Sequence, residues 1–371
     1  MLQPLFSALH RTLPALPLNR KKNTRLRIES LEAREVPAAF TPGNLAVARF
    51  GDGSGLPNSS ATPIFIDEYT TTGSAVNVGN STSNGNPLPT AVAGSNRRLT
   101  GTGSTTTEGL LTRSSDNQFL LLGGYDADVN TPSIAASTVS RVIGRIDSAG
   151  GIDTSTAFGD SSYSGSNIRS VASIDGTAYW ITGTASAAAN AGARYATHGS
   201  TTSTQLSSSP TDVRAAGIFG GQFYLSIASG SYQGVWAVGS GLPTTSGQTT
   251  TLLNGFSTSS SLNTHQFVFR DANTLYVADR RDTVLGGLQK WTLGGGTWSL
   301  AYTLTPPTAS GSGTSGLVGL TGDFSGPNPV LYGTTTEASM NRIVKLTDTG
   351  VSSTFSLVRT APTGTVFRGI S

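Results

Sequence analysis

The chain has 371 residues, a formal net charge of +3, 12% charged residues and no cysteine. Disordered chains normally combine high net charge with few aromatic residues, whereas this one contains 14 Phe, 10 Tyr and 4 Trp, so composition favours a folded protein. The lack of cysteine excludes disulfides, thiolate metal sites and cysteine nucleophiles.

The positive charge is concentrated near the N-terminus. Residues 1–38 contain seven Lys or Arg and three Glu, so the rest of the chain has a net charge of −1. A nucleic-acid-binding surface needs a basic patch or stripe, and no such stripe follows residue 38. No segment approaches the ~20 apolar residues of a membrane-spanning helix. We therefore expect neither a nucleic-acid partner nor a transmembrane segment.

Residues 1–38 are predicted to form a leader segment. The weak apolar stretch of this leader precedes its basic cluster, whereas a secretory signal has the basic residues first. Residues 25–38, RLRIESLEAREVPA, nevertheless resemble the R-L-x-x-E-x-L-E-x-R-x-x-P-A motif near the N-termini of many planctomycetal envelope and exported proteins. The resemblance implies export, with a mature chain that begins near Ala38 or Ala39. The alternative is an amphipathic helix that ends before Pro37.

Residues 39–371 are predicted to form one all-β domain of short strands. Apolar runs alternate with Gly, Asp or Asn turns, as in β-hairpins. Single strands are predicted first, at 44–50, 63–69 and 74–78. Hairpins and strand pairs then follow in order, at 109–122, 141–158, 169–183, 214–228, 266–279, 286–304, 316–334 and 342–360.

Four strands in each repeat of roughly 45–60 residues predict the blades of a β-propeller. The C-terminal residues 367–371 match the start of an inner strand, while 44–50 reads as a second strand without a first. We therefore expect six blades, with the C-terminal strand joining the N-terminal blade and closing the ring. A seventh blade within 80–107 is left open.

Two strand pairs resemble those of NHL and SMP-30-type propellers. They are 275–279 with 287–291, and 331–333 with 341–346. The resemblance supports the fold more than the function. An SMP-30-like lactonase would hold a divalent metal with buried carboxylates and Asn on its inner strands, and the few acids there argue against that activity.

Aligning the starts of the inner strands predicts one candidate site. The alignment makes six positions equivalent: Gly109, Arg169, Arg214, Gln266, Gly316 and Arg368. Because first strands line the channel of a propeller, Arg169, Arg214 and Arg368, with Gln266, would surround one channel mouth. Converging guanidiniums suit carboxylate, sulfate or phosphate. The alternative is that each arginine only binds backbone carbonyls or water.

Other chemistry is sparse. The three histidines, His10, His198 and His265, lie in different parts of the chain, and no G-x-S-x-G elbow is present.

One acidic loop resembles the start of a calcium loop. Asp126, Asp128 and Asn130 alternate as calcium ligands do, but Thr131 and Ser137 replace the glycine and acid that a calcium loop needs. A polar loop without metal is the alternative, and no cofactor other than this weak calcium candidate is expected. The segment 279–282 is interpreted as a solvated turn.

These observations favour a non-catalytic binding or structural module, located in the cell envelope, periplasm or extracellular space. Its partner would be a small anion, a glycan or an envelope protein. An SMP-30-like metal-dependent enzyme at the channel mouth is the alternative, and a tightly bound divalent ion would favour it. A surface adhesive with glycosylated Ser and Thr loops is a third hypothesis.

Overall fold

The computed structural model describes residues 39–76, 86–256 and 262–371, and the predicted leader lies outside them. Runs of β-branched and aromatic residues form the strands, and Gly, Asp and Asn form the turns between them. The strands are β1 Leu45–Phe50, β2 Ala61–Tyr69, β3 Asn86–Pro87, β4 Thr100–Thr102, β5 Thr112–Arg113, β6 Phe119–Tyr125, β7 Arg141–Asp147, β8 Ile152–Phe158, β9 Ile168–Ala172, β10 Ala178–Gly183, β11 Arg194–Thr197, β12 Thr204–Gln205, β13 Ala216–Phe219, β14 Gln222–Ile227, β15 Gly234–Val238, β16 Thr250–Leu252, β17 Thr264–Asp271, β18 Thr274–Asp279, β19 Gly287–Gly294, β20 Thr297–Leu304, β21 Leu317–Asp323, β22 Val330–Thr335, β23 Arg342–Thr347, β24 Phe355–Thr360 and β25 Val366–Ile370. Short 3₁₀ turns lie at Ile134–Ala136, Ala188–Asn190 and Gly230–Tyr232.

The strands form the blades of a β-propeller. Four separate four-stranded antiparallel sheets contain β9–β12, β13–β16, β17–β20 and β21–β24. A nine-stranded sheet supplies two further units, β25-β1-β2-β3 and β5-β6-β7-β8, linked through β4. We number these units blade 1 (β25, β1–β3), blade 2 (β5–β8) and blades 3 to 6 in chain order. The predicted all-β propeller with six blades is confirmed.

The ring closes as the sequence predicts. β25 pairs antiparallel with β1, with Val47 opposite Ile370 and Phe50 opposite Val366. Both strands are fully buried, and the ring of Phe367 contacts that of Tyr69 edge-on, with 5.8 Å between centroids. The closing strand therefore removes a free sheet edge and contributes to the core between blades.

One predicted strand is wrong, and the alternative of a seventh blade finds no support in the described residues. Residues 74–76 form no strand, and only an isolated bridge joins Ala75 to Tyr69; residues 77 and 78 lie outside the described residues. The segment 86–107 contains no seventh blade, because β3 and β4 both pair with β2 and extend an existing sheet. Residues 80–85 of that hypothesis are also outside the described part.

One irregularity recurs on the inner strands and positions the site. In β9, β17, β21 and β25, the inner strand contains one residue more than its partner between two paired positions. In β17 the extra residue falls between Thr264 and Phe267, and in β25 between Phe367 and Ile370. Such bulges re-aim side chains. His265 and Arg368 lie within the bulges of β17 and β25.

Candidate functional site

Five basic side chains meet where the inner strands begin, and we call them the inlet cluster: Arg169, Arg214, His265, Arg280 and Arg368. Arg169, His265 and Arg368 lie on β9, β17 and β25. Arg214 precedes β13, and Arg280 follows β18, whose end lies beside the start of β17. The sequence predicted three of these five residues, and it missed His265 and Arg280.

The structure corrects the predicted register at Gln266. Two hydroxyl groups each donate to a backbone carbonyl of the next blade. The hydroxyl of Thr182 donates to the carbonyl of Arg214, and the hydroxyl of Thr334 donates to the carbonyl of Arg368. The hydroxyl of Ser226 donates in the same way to the carbonyl of His265, at 2.6 Å. His265 therefore takes the position that the alignment gave to Gln266. Thr264 pairs with Asp279 as Ile168 pairs with Gly183, so the predicted register was one residue out in β17.

Asp212 holds two of the arginines together. Arg169 Nη1 donates to Asp212 Oδ1 at 2.5 Å and to the Val213 carbonyl at 3.0 Å, and Arg214 Nη1 donates to the same carboxylate oxygen at 3.1 Å. Although burial acts to raise it, the two guanidiniums hold the pKa of Asp212 below its usual value. A single carboxylate thus compensates two buried cations.

His265 is the most enclosed member of the inlet cluster. Its side chain is fully buried, and neither ring nitrogen has a hydrogen-bond partner among the described residues. Burial, then the charges of Arg214, Arg280 and Arg169, lower the pKa of His265 well below its ordinary value. The imidazole is therefore neutral at pH 7, with one N–H donor and one acceptor nitrogen.

The arginines also present unpaired donors. Within the described residues, the buried Nε atoms of Arg169, Arg214, Arg280 and Arg368 have no hydrogen-bond partner. Arg368 donates from Nη2 to the Gly103 carbonyl at 2.8 Å. Burial lowers the pKa of both Arg214 and Arg368 to about 10. Arg214 and Arg368 therefore remain cationic at neutral pH, and their buried Nε–H groups have no hydrogen-bond acceptor among the described residues.

A second carboxylate, which the sequence analysis missed, lies beside Arg368. Glu108 is buried and accepts hydrogen bonds from Tyr125 Oη at 2.6 Å, from the Thr102 N–H at 3.0 Å and from Asn167. Burial raises the pKa of Glu108. The sequence alignment placed its neighbour Gly109 at an inner-strand start but gave Glu108 no role.

Gln266 has a different role from the one predicted. Its Nε2 donates to the Leu111 carbonyl at 2.8 Å, and its Oε1 accepts from the Leu320 N–H at 3.0 Å. These contacts join blade 5 to blade 2, across the ring, and to blade 6 beside it. The side chain therefore links inner strands on opposite sides of the ring.

The acidic residues named as calcium candidates face a guanidinium instead. Arg98 Nε donates to Asp126 at 2.8 Å, and Arg98 Nη1 donates to Asp128 at 2.7 Å. The N–H of Asn130 donates to the Ala61 carbonyl. A calcium ion would have to displace Arg98, and the calcium site stays a prediction.

The interpretation of 279–282 as a solvated turn is wrong at its first residue. Asp279 is fully buried and binds Arg281 at 2.8 Å and Gln289 at 3.1 Å. Arg280 and Arg281 are half-buried, and Asp282 is exposed. The Nε atom of Arg280 is buried and belongs to the inlet cluster, which the local sequence did not indicate.

The inlet cluster does not fit the divalent metal of an SMP-30-like lactonase. Such a metal needs several carboxylate, Asn or His ligands at one place. In the part of the chain that the structure describes, no group of three His, Cys, Asp or Glu could hold a metal. Four arginines would also repel a divalent cation, so we derive no metal-dependent step.

No protein-family model and no curated protein matches the sequence. Solved structures that resemble the chain include a candidate 6-phosphogluconolactonase from Bacteroides uniformis, with 14% identity and a TM-score of 0.46, covering 86% of this chain and 83% of that one. A Lactobacillus plantarum protein has 12% identity and a TM-score of 0.47, with 85% and 82% coverage. The extracellular domain of a one-component system from B. thetaiotaomicron has 12% identity and a TM-score of 0.42, and this chain spans 34% of its length. Likeness at this level carries no conclusion about function.

Among the described residues, no helix has the length and apolar character needed to cross a membrane.

Proposed function

We propose that the protein is a non-catalytic propeller that binds a small anion, a carboxylate, sulfate or phosphate, at the inlet cluster. The unpaired buried donors carry this proposal: four arginine Nε atoms and the ring of His265 have no partner among the described residues. An unpaired buried donor costs about 1–3 kcal/mol. An anion that accepts from them would recover this cost through charge-assisted hydrogen bonds.

The charge balance supports the same proposal. The inlet cluster contains four arginines. Among the described residues, the acidic groups near them are Asp212, Glu108 and Asp282, which lies two residues after Arg280 and accepts from the Gly316 N–H. The four arginines therefore outnumber these three carboxylates. A bound anion would reduce the repulsion between Arg214 and its neighbours Arg169 and Arg280, which contributes to the low pKa of Arg214.

Titration calorimetry with inorganic phosphate, sulfate and acetate, at constant ionic strength, tests the proposal. We expect one anion per chain. Arg280→Gln should weaken binding about tenfold, since it removes a charge-assisted hydrogen bond worth about 1.5–3 kcal/mol. Arg280 makes no side-chain hydrogen bond within the described residues, so this variant should retain the stability of the wild type.

Arg270→Gln is the matched control. Like Arg280→Gln, it removes one positive charge, but Arg270 lies at the end of β17 that is opposite to His265. The only ion pair of Arg270 among the described residues is with Asp271, at 3.7 Å. We expect less than a twofold change in affinity. The proposal fails if none of the three anions binds, or if Arg280→Gln and Arg270→Gln bind phosphate equally well.

Export is proposed on separate grounds, namely the motif resemblance of residues 25–38. The intact mass of the chain, purified from the envelope fraction of its own cells, measures whether the leader is removed. We expect a mature chain that begins near Ala38 or Ala39. A full-length chain recovered from the cytoplasm would contradict export and leave the anion site untouched.

A further inference from the structure

A second compartment lies at the opposite end of the channel. The last residues of the six inner strands surround a cavity of about 360 Å³, which we call the outlet pocket. Gln266 lines its floor and bridges the channel between Leu111 and Leu320. The outlet pocket is therefore separate from the inlet cluster, and its size lies at the lower end of the range of small-molecule sites.

One wall of the outlet pocket is an aromatic platform. The rings of Phe219 and Phe269 stack with 4.6 Å between centroids and an angle of 12°. Phe269 is fixed from behind by edge contacts with Trp298 at 6.0 Å and with Phe267 at 6.1 Å. Because Phe269 is packed on several sides, it holds the stacked ring of Phe219 in a fixed position. Phe219 is only partly buried, so it remains accessible to a planar ligand.

The opposite wall is polar and carries an unpaired cation. Arg113, Ser115 and Asn117 line the outlet pocket from blade 2, which lies across the ring from blade 5. Arg113 is exposed, and the structure gives its guanidinium no hydrogen bond or ion pair to any described residue. The pocket thus has an apolar face on one side and a polar face with one arginine on the other.

We propose that the outlet pocket binds a planar aromatic acid, with the ring against Phe219 and the carboxylate at Arg113. A flat ring gains area and stacking energy on the phenylalanine wall, and a carboxylate matches the two-pronged guanidinium. A neutral sugar could hydrogen-bond to Ser115 and Asn117, but it has no charge to pair with Arg113. This ligand goes beyond the small anion proposed for the inlet cluster.

Calorimetric titration with 1-naphthoate tests this site, with 1-naphthalenemethanol as the uncharged probe. We expect one naphthoate per chain and weaker binding of the alcohol. Phe219→Ala should weaken both probes about tenfold, since stacking is lost. Arg113→Gln should weaken naphthoate about tenfold and leave the alcohol unchanged. Arg113 is exposed, so this variant folds even if Phe219→Ala does not.

Three controls separate this site from others. Phe355→Ala removes a partly buried phenylalanine from an outer strand, and Arg270→Gln removes a cation outside the pocket; both should bind naphthoate like the wild type. Arg280→Gln should also leave naphthoate binding unchanged. The inference is overturned if naphthoate does not bind, if Arg113→Gln has no effect, if the alcohol binds as tightly as naphthoate, or if glucose binds in its place. If Arg280→Gln alone weakens naphthoate, the ligand occupies the inlet cluster and the outlet pocket is not its site.

Discussion

Phe367→Ala is expected to lower the free energy of unfolding by about 3–5 kcal/mol, the usual cost of truncating a buried phenylalanine. Phe367 is 1% exposed and packs against Tyr69. Its backbone also forms two hydrogen bonds with the side chain of Asn341, at 2.7 and 2.8 Å. The cavity would open inside the strand that closes the ring.

Urea denaturation followed by circular dichroism measures this effect. Leu357→Ala is the control, because Leu357 is 60% exposed on the outer strand β24, and its truncation should change stability by about 0.5 kcal/mol or less. A loss below about 1 kcal/mol for Phe367→Ala would mean that the cavity collapses and that this contact contributes little to closure.

Glu108→Ala is expected to lower the free energy of unfolding by about 3–5 kcal/mol, the range found when one partner of a buried polar or ionic contact is removed. The substitution leaves the Tyr125 hydroxyl and the Thr102 N–H without their acceptor, and it removes the carboxylate beside Arg368. Glu108→Gln keeps the volume and one acceptor oxygen, so it should cost about 1–2 kcal/mol.

The same denaturation experiment separates these two variants. Asp175→Ala serves as the control, since Asp175 is an exposed turn residue whose carboxylate, among the described residues, accepts hydrogen bonds from Thr177 alone. This variant should leave the curve nearly unchanged. If Glu108→Ala and Asp175→Ala unfold at the same urea concentration, the Glu108 contacts contribute nothing measurable to the fold.

The repeat was readable from sequence because a hairpin is a local structure. A run such as Arg141 to Asp147 carries its own apolar alternation and turn residues, and the observed strand has those same bounds. The failed strand at 74–78 shows the limit of this approach. Its short apolar run has no pairing partner beyond the isolated bridge at Ala75, and pairing is decided by distant residues.

The candidate site was predicted only in part. Arg169, Arg214 and Arg368 could be aligned because they stand at the starts of similar runs. Gln266 was placed one residue out of register, because the register depends on strand pairing: Asp279 pairs with Thr264 as Gly183 pairs with Ile168, which makes His265 the equivalent of Arg169. Arg280 was missed for another reason: a charged turn is usually solvated, and only the folded chain shows that Asp279 is buried beneath it.

The sequence by itself determined the inner hairpins, the blade repeat and the closing strand, since each depends on residues close in the chain or on a pattern that the termini complete. It did not locate the outer strands β11, β12, β15 and β16. Only the tertiary structure decided which side chains meet. Gln266 bridges to Leu111 over 155 positions, and Arg368 reaches the carbonyl of Gly103 over 265. Contacts at such separations depend on ring geometry and bulge register, which no local pattern encodes.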